Sequence, residues 1–218
     1  MSPHIAKRRD YPPFVSSVEA HTSPDGRYRD ILRLNCGWQP GRTHRRLGIF
    51  IGANPSAADV DKSDATINKV ANELCASPGP LWGDCNELLV VNLSPLRATY
   101  SAEAVSMLDD PDMLAESLEK SGVAWGAIKA ALGQGIYKPV IWVGWGDCLK
   151  RHTRALSAPF KNLLEGREVL HLPLLKNGEP GHPCRADLKT LRRSVLWPKP
   201  VIGPLVGCDT SPDADVPF

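Results

Sequence analysis

The chain has 218 residues, 26 Lys+Arg against 24 Asp+Glu, a formal net charge of +2 and 42% hydrophobic residues. That length suffices for one sizeable domain with its own core, and the near-neutral balance gives no bulk polyanion-binding signal. Six cysteines (36, 75, 85, 148, 184 and 208) occur without a CxxC pair, which argues against a zinc ribbon or an iron–sulfur cluster, and no apolar run approaches membrane-spanning length.

Charge is nevertheless uneven. Residues 1–50 hold nine Lys/Arg (Lys7, Arg8, Arg9, Arg27, Arg29, Arg33, Arg42, Arg45, Arg46) against four acids, and Arg185, Lys189, Arg192 and Arg193 form a second basic cluster. Such patches can track phosphates, but a solvated face is the plainer explanation. The expectation is a soluble cytoplasmic protein with reduced thiols, monomeric, away from membranes, with no cofactor and no metal.

Residues 1–13 read as a basic, proline-containing arm. Val15–Ala20 and Arg27–Asn35 flank the turn signal Ser23-Pro24-Asp25-Gly26, which predicts a β-hairpin. A loop over 37–45 leads into LGIFIG (47–52), an unbroken apolar run of the kind found in strands covered on both faces. Gly52 and Pro55 stop it, and three acids follow, Asp59, Asp61 and Asp64. Ile67, Val70, Ala71 and Leu74 recur at helical spacing over 65–76, with Asp64 placed as the cap.

ELLVVNL (87–93) is a second strand, and 111–132 a long helix capped by Asp109 or Asp110. KPVIWVG (138–144) is a third strand, followed by a helix from about 147 to 155, and REVLHLP (167–173) is a fourth. A turn-rich loop over 177–183 precedes a closing helix over 185–196, and 198–218 is expected to be a disordered tail. Strands alternating with helices after an antiparallel start predict a three-layer α/β/α fold. Its central sheet is mainly parallel, of about four strands, with an N-terminal β-hairpin, in a single domain over 14–197. Each strand ends in something polar or small: Asn54, Asn92, Gly144–Gly146, and the loop to His182. Carboxyl ends of such strands are where open α/β sheets bind ligands.

Four segments, in order, resemble the uracil-DNA glycosylase superfamily and cover most of 46–190. GANPS (52–56) resembles its first motif, with the Asn of the mismatch-specific thymine/uracil branch where the uracil-specific branch carries Asp. LLVVNLSPLR (88–97) resembles the strand whose asparagine reads the flipped base, and VIWVGWGDCLKR (140–151) is similar to a strand–Trp-Gly–helix segment. GHPCRAD (181–187) resembles the His-Pro-Ser motif that closes the site. A bacterial and phage family of unassigned function shows a similar NPS–acidic loop, VVNL and HP combination.

The resemblance implies a uracil-DNA-glycosylase-like fold and a DNA N-glycosylase. Asn54 would orient the hydrolytic water, and His182 would donate to the departing base or hold the sugar and its phosphate. Gly52, Ala53, Pro55, Ser56, Asn92, Tyr100 and Trp145 would contact the substrate, with Trp142 a further stacking candidate. Arg97, Lys150, Arg151 and Arg185 would grip DNA phosphates. Where the uracil-specific branch has a tyrosine that rejects thymine, Ser56 is small, so a C5-modified pyrimidine fits; Asp59, Asp61 and Asp64 could bond its polar substituent. Destroying modified DNA suggests defence against phages.

The chemistry is compatible with these residue types. N-glycosidic cleavage passes through an oxocarbenium-like sugar while the base departs as an anion, so it needs a held water and a donor to the base oxygen. Each residue also has a plainer role. Asn54 can end a strand in a turn, His182 can be a loop histidine before a proline, Asn92 can bond a backbone group, and the three acids can be loop or cap residues. Two other functions stay open: an N-glycosyl hydrolase or transferase acting on nucleotides or nucleosides, and a non-catalytic modified-base sensor. A nucleotide-phosphate binder is disfavoured by the lack of GxGxxG or GK[ST].

Overall fold

The computed structural model describes residues 8–37, 46–55, 58–76, 85–98, 100–133, 138–185 (Arg185 by its backbone alone) and 187–198. The expected tail and Ser56 lie outside them.

The hairpin forms as β1 (Ser17–Thr22) and β2 (Arg29–Asn35). The four apolar runs form β3 (Leu47–Gly52), β4 (Glu87–Asn92), β5 (Val140–Val143) and β6 (Glu168–Leu174), parallel to one another in the order β4-β3-β5-β6. The hairpin joins this core through β2, antiparallel to β4. At the far side, β7 (Pro180–Gly181) and β8 (Arg192–Val195) both pair antiparallel with β6. The sheet therefore has eight strands where about four were expected, and it is mixed rather than mainly parallel, because the four added strands all pair antiparallel around the parallel core.

Four helices cover it: α1 (Ala65–Cys75), α2 (Ser101–Leu108), α3 (Pro111–Gly133) and α4 (Thr153–Leu163). Successive strand residues point to opposite faces, which explains why the parallel strands are apolar throughout. Ile49, Ile51, Leu89, Val91, Ile141 and Val143 pack on the face holding α2, α3 and α4. Phe50, Leu88, Val90, Val140 and Trp142 pack on the face holding α1. Two cores, one sheet between them, give the three layers.

The segment over 185–196 departs from expectation. It is not a helix but two short 3-10 turns (Pro183–Arg185 and Leu188–Thr190) and then β8. Asp187 accepts the Lys189 amide at 3.0 Å while the Thr190 hydroxyl donates to its carbonyl at 2.7 Å, which closes a tight turn instead of propagating a helix. The open edge of β6 then offers ladder partners, and tertiary pairing overrides the weak local periodicity. After β5, a 3-10 turn (Lys150–His152) delays the helix start to Thr153, and Leu156 and Phe160 carry its buried stripe past Pro159. The segment over 101–108 is helical without having been expected to be.

Strand β3 leads to β4 on one side and, after α2 and α3, the chain returns to place β5 on its other side. Connections thus diverge between β3 and β5, the point at which a crevice opens beyond the carboxyl ends of open α/β sheets. Hydroxyl contacts fix α3 against this edge. Ser121 Oγ donates to the Leu93 carbonyl at 3.0 Å, and Ser94 Oγ meets Ser117 Oγ at 2.8 Å.

Asp109, at the end of α2, is hydrogen-bonded to His152 at 2.8 Å and ion-paired with Arg151. The His152 bond, with Arg151 beside it, holds the Asp109 carboxyl below the usual carboxylate value. A depressed acid pKa contributes stability that is present above the unfolded value of about 3.9 and fades as pH falls through the folded one. Asp109→Asn should therefore melt below the wild type at about pH 5–6, with the gap narrowing below about pH 4. Thermal unfolding across that range checks the sign.

Candidate functional site

Strand β3 ends at Gly52, and the chain turns sharply through Ala53-Asn54-Pro55. Asn54 donates from Nδ2 to the carbonyls of Pro55 at 3.2 Å and Ala98 at 3.1 Å. Both amide hydrogens are thereby committed to backbone, and the carbonyl end, Oδ1, is the part left to meet a ligand. One residue past the neighbouring strand's apolar run stands Asn92, in register with Gly52. Its Nδ2 is buried and finds no hydrogen-bond partner among the described residues. A Cβ on Gly52 would lie 2.8 Å from Asn92 Oδ1, so the glycine is what lets the amide sit there.

His182 follows β7 and is positioned from three directions. The Cys184 amide donates to Nδ1 at 3.2 Å, which makes Nδ1 the acceptor and puts the proton of the neutral ring on Nε2. From α1, Lys69 Nζ donates to the Pro183 carbonyl at 2.8 Å, and Thr66 Oγ1 contacts Cys184 Sγ. At the end of β5, Gly146 adopts φ +63° and its amide donates to the Pro180 carbonyl at 2.9 Å. A Cβ there would approach His182 Cβ to 3.0 Å, and one on Gly144 would approach Pro183 Cδ to 3.0 Å.

These pieces enclose a cavity of about 320 Å³ lined by Gly52, Ala53, Asn54, Asn92 and His182 together. The volume lies at the small end of ligand sites. Asp64 also lines it, its Oδ1 accepting the amides of Thr66 at 2.7 Å and Ile67 at 2.9 Å as the α1 cap. Cap and site residue are thus the same side chain.

Other expected residues lie elsewhere. Trp145 is buried away from the cavity, stacked on Trp197 with centroids 5.9 Å apart, and its Nε1 donates to Glu179 at 2.7 Å. Tyr100 is 37% exposed just before α2 and does not line the cavity. Pro55 is buried behind Asn54 and contributes its carbonyl to that side chain. Asp59 binds Arg8 at 2.7 Å, and its Oδ1 accepts the amides of Asp61 and Lys62, so it shapes the loop rather than the cavity. Asp61 is exposed. Arg151 is taken up by Asp109, Lys150 is exposed in the left-handed region (φ 46°), and Arg97 is half-buried beside the cavity without lining it. Ser56 and the Arg185 side chain lie outside the described residues.

Residues not anticipated fill the gaps. Phe50 supplies the aromatic wall, edge-on to Trp142 with centroids 5.8 Å apart, where Trp and Tyr were expected. Arg9 and Arg29 bring positive charge. Arg29 is only 2% exposed; burial pulls its guanidinium down to about 10 against the opposing pull of Asp64, so it stays charged at neutral pH. The sequence held no signal for it, since Arg29 was one of nine basic residues in the first fifty. Among the described residues no group of three or more His, Cys, Asp or Glu could hold a metal ion, and no helix is long and apolar enough to cross a membrane. A second cavity, of about 620 Å³, lies at the opposite edge of the sheet, where Arg46, Lys138, Arg167 and Arg193 line it.

The model of a family described as "Protein of unknown function (DUF1643)" matches residues 33–184, and the chain belongs to that family. The matched span includes Asn54, Asn92 and His182 and stops short of Arg9 and Arg29. No curated protein and no solved structure matches.

The glycines yield a paired test. Gly146→Ala should cost about 1–2 kcal/mol from the left-handed backbone alone, and more from the His182 contact. Gly122→Ala, within α3 where a Cβ meets open space, should gain up to about 1 kcal/mol. Urea unfolding of both variants reads the contrast.

Proposed function

We propose that the chain hydrolyses the N-glycosidic bond of a pyrimidine nucleotide unit, foremost a base flipped out of DNA, leaving an abasic site. One observation carries the reading: Asn54 and His182 line one cavity, each with its other polar end committed to the backbone. Oδ1 of Asn54 is set to accept from a water below the sugar. Nε2–H of His182 is set to donate to the base oxygen that gathers charge as the C1′–N1 bond breaks. The water delivers its hydroxyl to C1′, and its proton ends on the departing base. Asn54 adds no charge, so the Asp64 carboxylate in the cavity wall is the group that favours the cationic sugar.

Asn92 would read the base edge, an arrangement supported by its unpartnered Nδ2. Phe50 would give the extruded base an apolar face. Resemblance of the four strand-end segments to the uracil-DNA glycosylase superfamily supports the same assignment, and a small residue at Ser56 supports a pyrimidine enlarged at C5. An enzyme of this kind would act on phage genomes built with modified pyrimidines, a defence role. Few phosphates would be gripped, so the salt dependence of DNA binding should be shallow.

The test is incubation with DNAs of defined base composition, including uracil, thymine and 5-substituted cytosines, with mass-spectrometric detection of free base. Release is expected from at least one 5-substituted pyrimidine. Asn54→Ala and His182→Ala should each slow it by about 10²-fold or more while DNA binding persists. No release from any substrate, or undiminished release by Asn54→Ala, would overturn the assignment.

A further inference from the structure

We propose that the cavity contains a subsite for an anionic group of the substrate, built from the buried guanidinium of Arg29 and the exposed Arg9. This rests on the N-glycosidic hydrolase reading and adds a substrate class to it: one that carries a phosphate or carboxylate into the pocket.

Strand β2 runs antiparallel to β4, so its first residue, Arg29, stands at the carboxyl edge of the parallel core, where the cavity is. The Arg29 amide is fixed to the Pro95 carbonyl at 2.8 Å. A guanidinium has five N–H donors. At Arg29 the described residues supply an acceptor to Nη1, the Ala58 carbonyl, while buried Nε–H has none. Several buried polar atoms lack a partner among the described residues, but Arg29 Nε–H and Asn92 Nδ2 belong to residues that line the cavity, where a ligand would supply the missing acceptors. The planar fork suits a pair of oxygens on one phosphorus or carbon.

Arg9 supports this from a different element. Its backbone is clamped to Ser63 by two hydrogen bonds, 2.9 and 2.7 Å, and the residue lines the same cavity with no ion pair to any described residue. Positive charge outweighs negative here: Arg9 and Arg29 line the cavity and Arg97 is close enough to act on Arg29, whereas Asp59 is engaged by Arg8 and Asp64 alone opposes an anion from the wall. Arg9 and Arg29 both lie ahead of the matched family segment, so the N-terminal arm and hairpin bring them to the Asn54–His182 cavity.

The anionic group has two sources, the 5′-phosphate of a free nucleotide or an acidic substituent on a base in DNA. Calorimetric titration of the full chain with two matched pairs separates them: deoxyuridine against deoxyuridine 5′-monophosphate, and an oligonucleotide with cytosine against one with 5-carboxycytosine. One anionic member should bind about tenfold or more tighter than its neutral partner. Arg29→Gln should abolish that preference, and Arg9→Ala should reduce it several-fold. A preference within the first pair assigns the sugar phosphate, and one within the second assigns the base. No preference in either pair overturns the subsite, as does a preference that survives Arg29→Gln. Should Arg29→Gln fail to fold by circular dichroism, Arg9→Ala decides, because an unchanged preference in that variant is equally fatal. Free base is measured in parallel: release without anionic preference removes the subsite alone, and preference without release removes the hydrolase reading alone.

Discussion

Where β3 and β5 part, backbone must approach side chain more closely than any Cβ allows. A methyl at Gly52 would collide with the Asn92 amide, one at Gly144 would press on Pro183 and the Phe50 ring, and one at Gly146 would press on His182. Three missing side chains thus bring an amide from β4, a ring from β3 and the His182-Pro183 turn around a single space. The residues that give the cavity its chemistry come from strands far apart in the chain, and they meet because these positions yield. Gly146 goes further, since its left-handed backbone also lets the β5 turn hydrogen-bond to Pro180.

The parallel core was legible because burial on both faces leaves a strand no reason to alternate. LGIFIG, ELLVVN and VIWV are hydrophobic runs too short for helices, and each is a strand. Asp64 was legible as a cap because a carboxylate before an apolar 3.6-residue period has one common use. The final segment was not, because its outcome depended on β6 presenting an open edge, a fact absent from the segment's own residues. Trp145 and Tyr100 show the same limit from the other side. An aromatic residue near a strand end can face the crevice or the core, and the choice for Trp145 was made by Glu179 and Trp197, both distant in sequence. Asn54, Asn92 and His182 were legible as polar residues at strand ends and through the motif segments that hold them, and the structure brings all three to one cavity. Arg29 was invisible because its burial depends on how the hairpin docks.

Electrostatically the cavity is mixed rather than uniformly basic. The Asp64 carboxylate acts on the buried Arg29 guanidinium, and the exposed Arg9 lines the same cavity. That mixture suits a ligand whose charges are themselves separated, negative at one end and developing positive at another. It also explains why overall composition carried no hint of it, because the opposing charges cancel in any sum along the chain.

The loop before His182 is anchored to α4 as firmly as the turn after it is anchored to α1. Glu179 accepts from Trp145 on one oxygen and from Lys161 on the other, each at 2.7 Å. Two helices on opposite faces of the sheet therefore grip one imidazole-bearing turn. A ring restrained in this way has already surrendered most of its rotational freedom during folding, so an arriving ligand finds the donor in place and loses little entropy in ordering it.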